Sequence, residues 1–454
     1  MRSDNADTTT STVPVTTAYT SPDSRSARLW LEAQEVLPGG NSRTTVFMAP
    51  RPIYAAEGEG CWLVDVDGER RLDLLNNYTA LIHGHAHPAV TDAATRRLAR
   101  GVSFPLPTAE EIELAGLLVE RVPSVERVRF TNSGSEAVMM AIKAARAFTG
   151  RPKIAKFEGA YHGSYDWAEV SLSSSPADWG SLESPASVAY CKGTPPSVLD
   201  EVVVLPFNHA RLAAARIERQ AGELAAVILD PVPNRVGLIP ARAEFLKAMR
   251  EVTAAHGILL IFDEVISFRV GYRGAQGAFG VRPDLTTFGK IIGGGFPVGA
   301  VGGRAEVMAV FDPRRGKPLV PHGGTFNANP VTMAAGLAAM RLMDETAYAR
   351  LDEMGEKLRG GFRACLERAG VPGAITGVGS LFRIHPSGVM FVDYRSALAD
   401  DAERNRLDQL QRALLDHGVL ISPTGLGCLS TVVTEAEIEY FLEIVNHCVL
   451  GSGG

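Results

Sequence analysis

No apolar run in this chain approaches the roughly 20 residues a helix needs to cross a bilayer. Stretches such as "ILLIF" at 258–262 meet a charge or a glycine within a few residues, so a soluble protein is expected. Cysteine is scarce too. The five (Cys61, Cys191, Cys365, Cys428, Cys448) are odd in number, widely spaced and without a CxxC pair. Neither a disulfide framework nor a zinc site is therefore expected, and a cytoplasmic location fits. Basic blocks are missing: Lys+Arg 45 stands against Asp+Glu 51 for a net charge of -6, and no stretch could track a phosphate backbone, so a nucleic-acid partner is not expected. Three histidines crowd "HGHAHP" (His83, His85, His87), but the Gly, Ala and Pro between them supply no carboxylate, and no metal site is expected. The first 27 residues lack an apolar h-region and helical periodicity and are rich in Ser and Thr. They read as a disordered tail, and Asp4, Asp7 and Asp23 argue against a transit peptide.

What is present is length and alternation. At 454 residues the chain should form two or three domains. Residues 28–75 read as an N-terminal arm contributing to a small domain: a helix in "ARLWLEAQEVLPGG", then a hairpin in "GCWLVDVDGERRLDLL" around a central Asp-Gly. From 76 to 345, apolar runs alternate with amphipathic helices, the pattern of a mostly parallel sheet covered on both faces, hence an α/β large domain. Residues 346–454 read as a smaller α+β domain, with "GSLFRIH" and "GVLISP" as strands.

Four local features carry chemistry. In "RFTNSGSEAVMMAIKAARAFTG" a strand runs into a turn of small residues and then a helix, so Ser133, Gly134 and Ser135 offer N–H groups and hydroxyls where an anionic phosphate is stabilised. "GILLIFDEV" ends a buried strand in Asp263 and Glu264, the edge at which open α/β sheets bind ligands. Tyr161 follows the strand "KIAKF" and could stack on a planar ligand. "TFGKIIGGGFP" sets Lys290 in an apolar, glycine-rich stretch; a desolvated lysine is a candidate nucleophile, and the glycines allow close approach. A phosphate cup, an aromatic, a strand-end carboxylate and a lysine together describe pyridoxal 5'-phosphate held as a Schiff base.

The order and spacing of these motifs over roughly residues 30 to 448 resemble the class III (fold type I) pyridoxal-phosphate aminotransferases, a family that includes glutamate-1-semialdehyde aminomutase. The resemblance implies that Lys290 carries the cofactor and shuttles the proton, and that Asp263 pairs with the pyridine nitrogen. Val265 and Tyr161 would flank the ring, and Ser133, Gly134 and Ser135 would hold the phosphate. In "HGGTFNANP" Thr325 resembles the threonine that reaches the phosphate of the neighbouring subunit, which implies a homodimer with shared sites.

Three features favour a transaminase near the β-phenylalanine aminotransferases over the aminomutase. "PGGNSRTTVF" resembles the former's "NSR", so Arg43 is expected to grip a substrate carboxylate, a task suited to a guanidinium fork. Tyr78 and Thr79 stand where the aminomutase has Ser-Trp-Gly, which makes Tyr78 a substrate-binding candidate; and "DEVISFRVGYRG" is one residue shorter than the aminomutase's segment. The expected reaction moves an amino group from a β-amino acid or related donor to a 2-oxo acid acceptor. The aminomutase and a catalytically silent homologue are the alternatives. Departures from the family are Asp230 in place of a glutamate and Arg235, which adds charge to the pocket or points away; Thr424 stands where the β-phenylalanine enzyme has an arginine for substrate carboxylates. Residues 164–198 read as a loop partly covering the site, with Trp167 or Trp179 in a substrate pocket.

Overall fold

The computed structural model describes residues 15–388 and 390–450. Its centre is a seven-stranded sheet formed by β1 (Arg127–Thr131), β2 (Lys153–Phe157), β3 (Val202–Leu205), β4 (Leu224–Leu229), β5 (Leu259–Asp263), β6 (Leu285–Gly289) and β7 (Gly299–Gly303). The spatial order is β1-β7-β6-β5-β4-β2-β3. β7 runs antiparallel to both its neighbours, while β2 to β6 pair in parallel, so the sheet is mostly parallel as the alternation implies. Every residue of β4 and β5 is buried, because helices cover both faces and leave no solvated side for polar alternation. β6 returns as β7 through one short loop, which only an antiparallel neighbour permits.

The helix α1 (Gly134–Thr149) shows how local sequence sets these ends. Ser133 is its N-cap, its Oγ accepting from the Glu136 N–H, and Glu136 Oε2 accepts from the Asn132 N–H. It stops at Gly150, whose φ of 71° is left-handed. α2 (Pro330–Leu342) starts on Asn329, whose side chain accepts from the Val331 and Thr332 N–H groups.

Outside the large sheet, strands Ala55–Glu59, Trp62–Asp65 and Arg70–Asp73 form the expected hairpin arm, extended by Val419–Leu420 from the far end of the chain. A three-stranded sheet (Ala374–Thr376, Leu381–His385, Leu426–Cys428) packs with helices Glu345–Ala369 and Glu435–Leu450. Among the described residues, no helix is long and apolar enough to cross a membrane.

The expectation of a disordered tail over 1–27 is corrected for its described part; residues 1–14 lie outside the described residues. The Thr16 N–H donates to the Asp416 carbonyl at 2.6 Å, and buried Tyr19 donates its hydroxyl to Asp416 Oδ1 at 2.9 Å. Buried Arg71, paired with Asp65, also donates to the Thr16 carbonyl at 3.0 Å. Partners 400 positions away leave no trace in local composition. The first helix accordingly begins at Arg25 on the N-cap Ser24, not at residue 28.

Candidate active site

Five chain segments leaving the carboxyl edge of the large sheet enclose a cavity of about 330 Å³. Ser133 to Ser135 follow β1, Tyr161 follows β2, Asp230 follows β4, Asp263 closes β5 and Lys290 follows β6. Convergence at that edge is what an open α/β sheet provides for a ligand. The structure thus brings together Lys290, Asp263, Ser133, Gly134, Ser135, Tyr161 and Val265 in one lining.

Lys290 adopts a left-handed φ of 51°, a conformation that costs a non-glycine residue roughly 1–2 kcal/mol and marks functional turns. Its amine has no hydrogen-bond or ion-pair partner among the described residues. Burial lowers its pKa, against the opposing charges of Asp263 and Asp230. Asp263 is held by three donors: His162 Nδ1 to Oδ2 at 2.7 Å, the Thr287 hydroxyl to Oδ1 at 2.9 Å and the Val265 N–H to Oδ1 at 3.1 Å. Asp230 receives the Val232 N–H at 2.9 Å, and burial, then the Asp263 charge, push its pKa up to about 8. The neighbouring Glu264 is turned into the protein, where Ala275 and Gln276 donate to it.

The sequence reading passed over His162. It is buried, burial lowers its pKa, and its Nε2 has no partner. A neutral ring donating from Nδ1 to Asp263 fixes the direction of that carboxylate. The signal lay in "YHG" beside Tyr161, but a histidine that serves a carboxylate 101 positions away cannot be read locally.

In the cup, the Ser133 and Ser135 hydroxyls each accept a backbone N–H, from Glu136 and Ser164. Each therefore keeps its own O–H as a donor for an anion. Close approach is enforced around them: a Cβ on Gly134 would meet Val265 at 2.9 Å, and one on Gly299 the Ser133 carbonyl at 1.9 Å. The glycines after Lys290 act differently from expectation. A Cβ on Gly294 would meet the Ala335 carbonyl at 2.5 Å and one on Gly293 the Val298 side chain at 2.5 Å, so Gly294 admits α2 and Gly293 admits Val298; only Gly295 of the three lines the cavity.

Other sequence candidates lie outside the lining. Arg43 is exposed, donates to Asn77 Oδ1 at 2.8 Å and stands 5.9 Å from the Tyr78 ring; Asn77 itself lines the cavity. The Tyr78 hydroxyl donates to the Thr45 carbonyl. Asn76, Asn77, Tyr78 and Thr79 form one turn in which all four φ values are left-handed. Thr325 is exposed on a separate surface cleft with Phe104 and Leu106. Arg235 points away, donating to Ser173 Oγ at 2.9 Å, and Thr424 is exposed and bonds Ser422.

The covering-loop reading is corrected. Trp167 donates to Glu201 and packs under Arg146, and Trp179 packs under Arg395, which also binds Glu158; neither lines the cavity. The Trp167 N–H is satisfied by Glu201 and an arginine lies over the face of each ring, which pins the loop down. The histidine reading also changes in one respect, because folding brings Asp73 Oδ2 to 2.8 Å from His85 Nε2.

The family model for aminotransferase class-III matches residues 46–449. A solved omega-transaminase from Sphaerobacter thermophilus is 55% identical with a TM-score of 0.95, covering 97% of this chain and 100% of that one. The beta-phenylalanine transaminase of Variovorax paradoxus is 40% identical over 96% of this chain and 95% of its own length. The glutamate-1-semialdehyde 2,1-aminomutase of Methanothermobacter thermautotrophicus is 40% identical over 94% and 99%.

Proposed function

The chain belongs to the class-III aminotransferase family and depends on pyridoxal 5'-phosphate, and on that premise we propose that it moves the amino group of a β-amino acid or a related amino acid to a 2-oxo acid. The observation that carries this reading is the unpartnered Lys290 amine facing Asp263 and Asp230 in one cavity. When bound, the cofactor supplies an electron sink for the bond between hydrogen and the amine-bearing carbon. Lys290 Nζ takes that proton and returns it, a role for which lowered basicity suits it. Asp263, kept in direction by His162 and Thr287, would hold a proton on the pyridine nitrogen. Ser133, Gly134 and Ser135 would donate to the phosphate, while Tyr161 and Val265 would flank the ring.

Arg43, held at the rim by Asn77, receives the donor's carboxylate, with Tyr78 beside it. Thr325 serves the site of a second copy, which makes the working form a homodimer; its exposure, with Leu106 and Phe326 72% and 61% exposed nearby, supports that reading. A cytoplasmic location fits the widely spaced cysteines.

The second reading, an aminomutase, is favoured by relatives of that name at 40% identity. A screen of amino donors with and without a 2-oxo acid separates the two. A transaminase turns over only when the acceptor is present, and β-amino acids should rank among its donors. Consumption of glutamate-1-semialdehyde with no acceptor would establish the aminomutase instead. Borohydride reduction followed by peptide mapping should leave the pyridoxyl group on Lys290; a label on another lysine would overturn the site.

A further inference from the structure

Two nitrogens of one neutral imidazole cannot both accept a hydrogen bond. His322 Nδ1 lies 2.8 Å from Arg129 Nε, which can only donate, so Nδ1 is the acceptor. Burial and the Arg129 charge lower the His322 pKa, in keeping with a neutral ring whose single proton sits on Nε2. That N–H faces the Asn327 amide at 3.1 Å, and Asn327 must meet it with its oxygen. The Asn327 NH2 group then turns to Asn132, whose amide is 2.7 Å away and must receive it with its own oxygen. Half a turn of an amide exchanges nitrogen and oxygen and moves nothing else, so this arrangement keeps every contact and gives each one a donor and an acceptor.

The consequence appears at the far end of the chain of bonds. The Asn132 NH2 group is then directed away from Asn327, on a side chain that lines the cavity one position before Ser133. We propose that Asn132 is a further cofactor-binding residue, an amide donor to the phosphate oxygens, kept in that orientation by the positioning residues Arg129, His322 and Asn327. A phosphate monoester offers only acceptors at neutral pH, so a neutral donor next to the two serine hydroxyls suits it. The inference rests on reading Ser133 to Ser135 as the phosphate cup. No polar side chain elsewhere in the lining is oriented by so long a series of bonds.

The test uses the full-length enzyme, freed of cofactor and titrated with pyridoxal phosphate and, separately, with pyridoxal. Asn132→Asp should weaken pyridoxal phosphate by about 10- to 100-fold, the worth of a hydrogen bond to a charged group, and leave pyridoxal unchanged. Asn327→Asp still accepts from His322 but turns a second oxygen toward Asn132, whose amide must reverse and withdraw its donor. It should therefore produce the same selective loss, and that loss should vanish when Asn327→Asp is placed on Asn132→Ala. Thermal unfolding of each cofactor-free variant identifies any that misfolds, and Asn132→Ser then replaces Asn132→Asp. Unchanged affinity, or equal loss for both ligands, overturns the assignment of Asn132. An Asn327→Asp loss that persists on Asn132→Ala overturns the positioning chain. Ser133→Ala with Ser135→Ala distinguishes the underlying reading: if that pair causes no phosphate-selective loss, the cup itself is misassigned.

Discussion

Two carboxylates face one amine in the cavity, and their surroundings give them different work. Asp263 has three donors, whereas Asp230 has one backbone donor and a pKa pushed up to about 8 by burial and by Asp263. For an acid whose folded pKa lies above its unfolded value of about 3.9, the folded state holds its proton more tightly, so stability falls as pH rises between the two values. In cofactor-free protein, Asp230→Asn should therefore gain stability over the unaltered chain as pH rises from about 4 to about 8, by up to roughly 1.4 kcal/mol per unit, with no further change outside that window. Urea unfolding at several pH values measures it, and a pH-independent difference would refute it. Lys290, Asp263 and the serines were legible in the sequence because each ends a recognisable strand or caps a helix. His162 and Asn132 were not, since what distinguishes them is a partner 101 or 195 positions away.

The turn Asn76–Thr79 is the element whose conformation needs most support. Four consecutive left-handed residues cost roughly 1–2 kcal/mol each, and only asparagine and glycine adopt that region readily. The turn is anchored on both sides: Asp73 Oδ1 accepts the Leu75 and Asn76 N–H groups at 2.8 Å, and buried Arg269 donates to the Thr79 carbonyl and to Leu429. The reward is the position of Asn77, with its oxygen on Arg43 at the cavity rim. Asn77→Gly should leave the melting temperature unchanged or slightly raised, since glycine suits this backbone. It should also raise KM about tenfold for donors bearing a carboxylate, and not for amines without one, because Arg43 loses a charge-assisted partner. Equal effects on both donor classes would remove Arg43 from carboxylate binding. Two adjacent asparagines in "NNYT" were a readable hint of left-handed backbone, but Tyr78 and Thr79 carry no such preference and follow only because distant residues hold them.

At the scale of the whole molecule, the chain closes on itself: residues 16–19 and 71 meet 415–416, and Val419–Leu420 extends the arm's sheet. The alternation of apolar runs made the central sheet readable, whereas these long-range closures depend on contacts that no window of sequence contains. The surface is less complete. Leu106, Leu319 and Phe326 are 72%, 72% and 61% exposed, an apolar set that a second copy would cover. Leu106→Glu combined with Phe326→Glu should yield a monomer by light scattering and weaken cofactor binding along with it, since Thr325 would no longer reach a neighbouring site. A monomer with unchanged cofactor affinity would show that Thr325 contributes nothing across the interface.

The small residues beneath the cup have a practical meaning for anyone who wishes to redirect this catalyst. Gly299 and Gly134 are pressed against Ser133 and Val265, so libraries that randomise them would mostly sample a disrupted turn at Ser133 to Ser135. Arg43, Asn77 and Phe296 stand at the rim, open to solvent. Diversity placed there can change which donors are accepted while the reactive centre stays as it is, which separates the evolvable part of this site from the part that must be left alone.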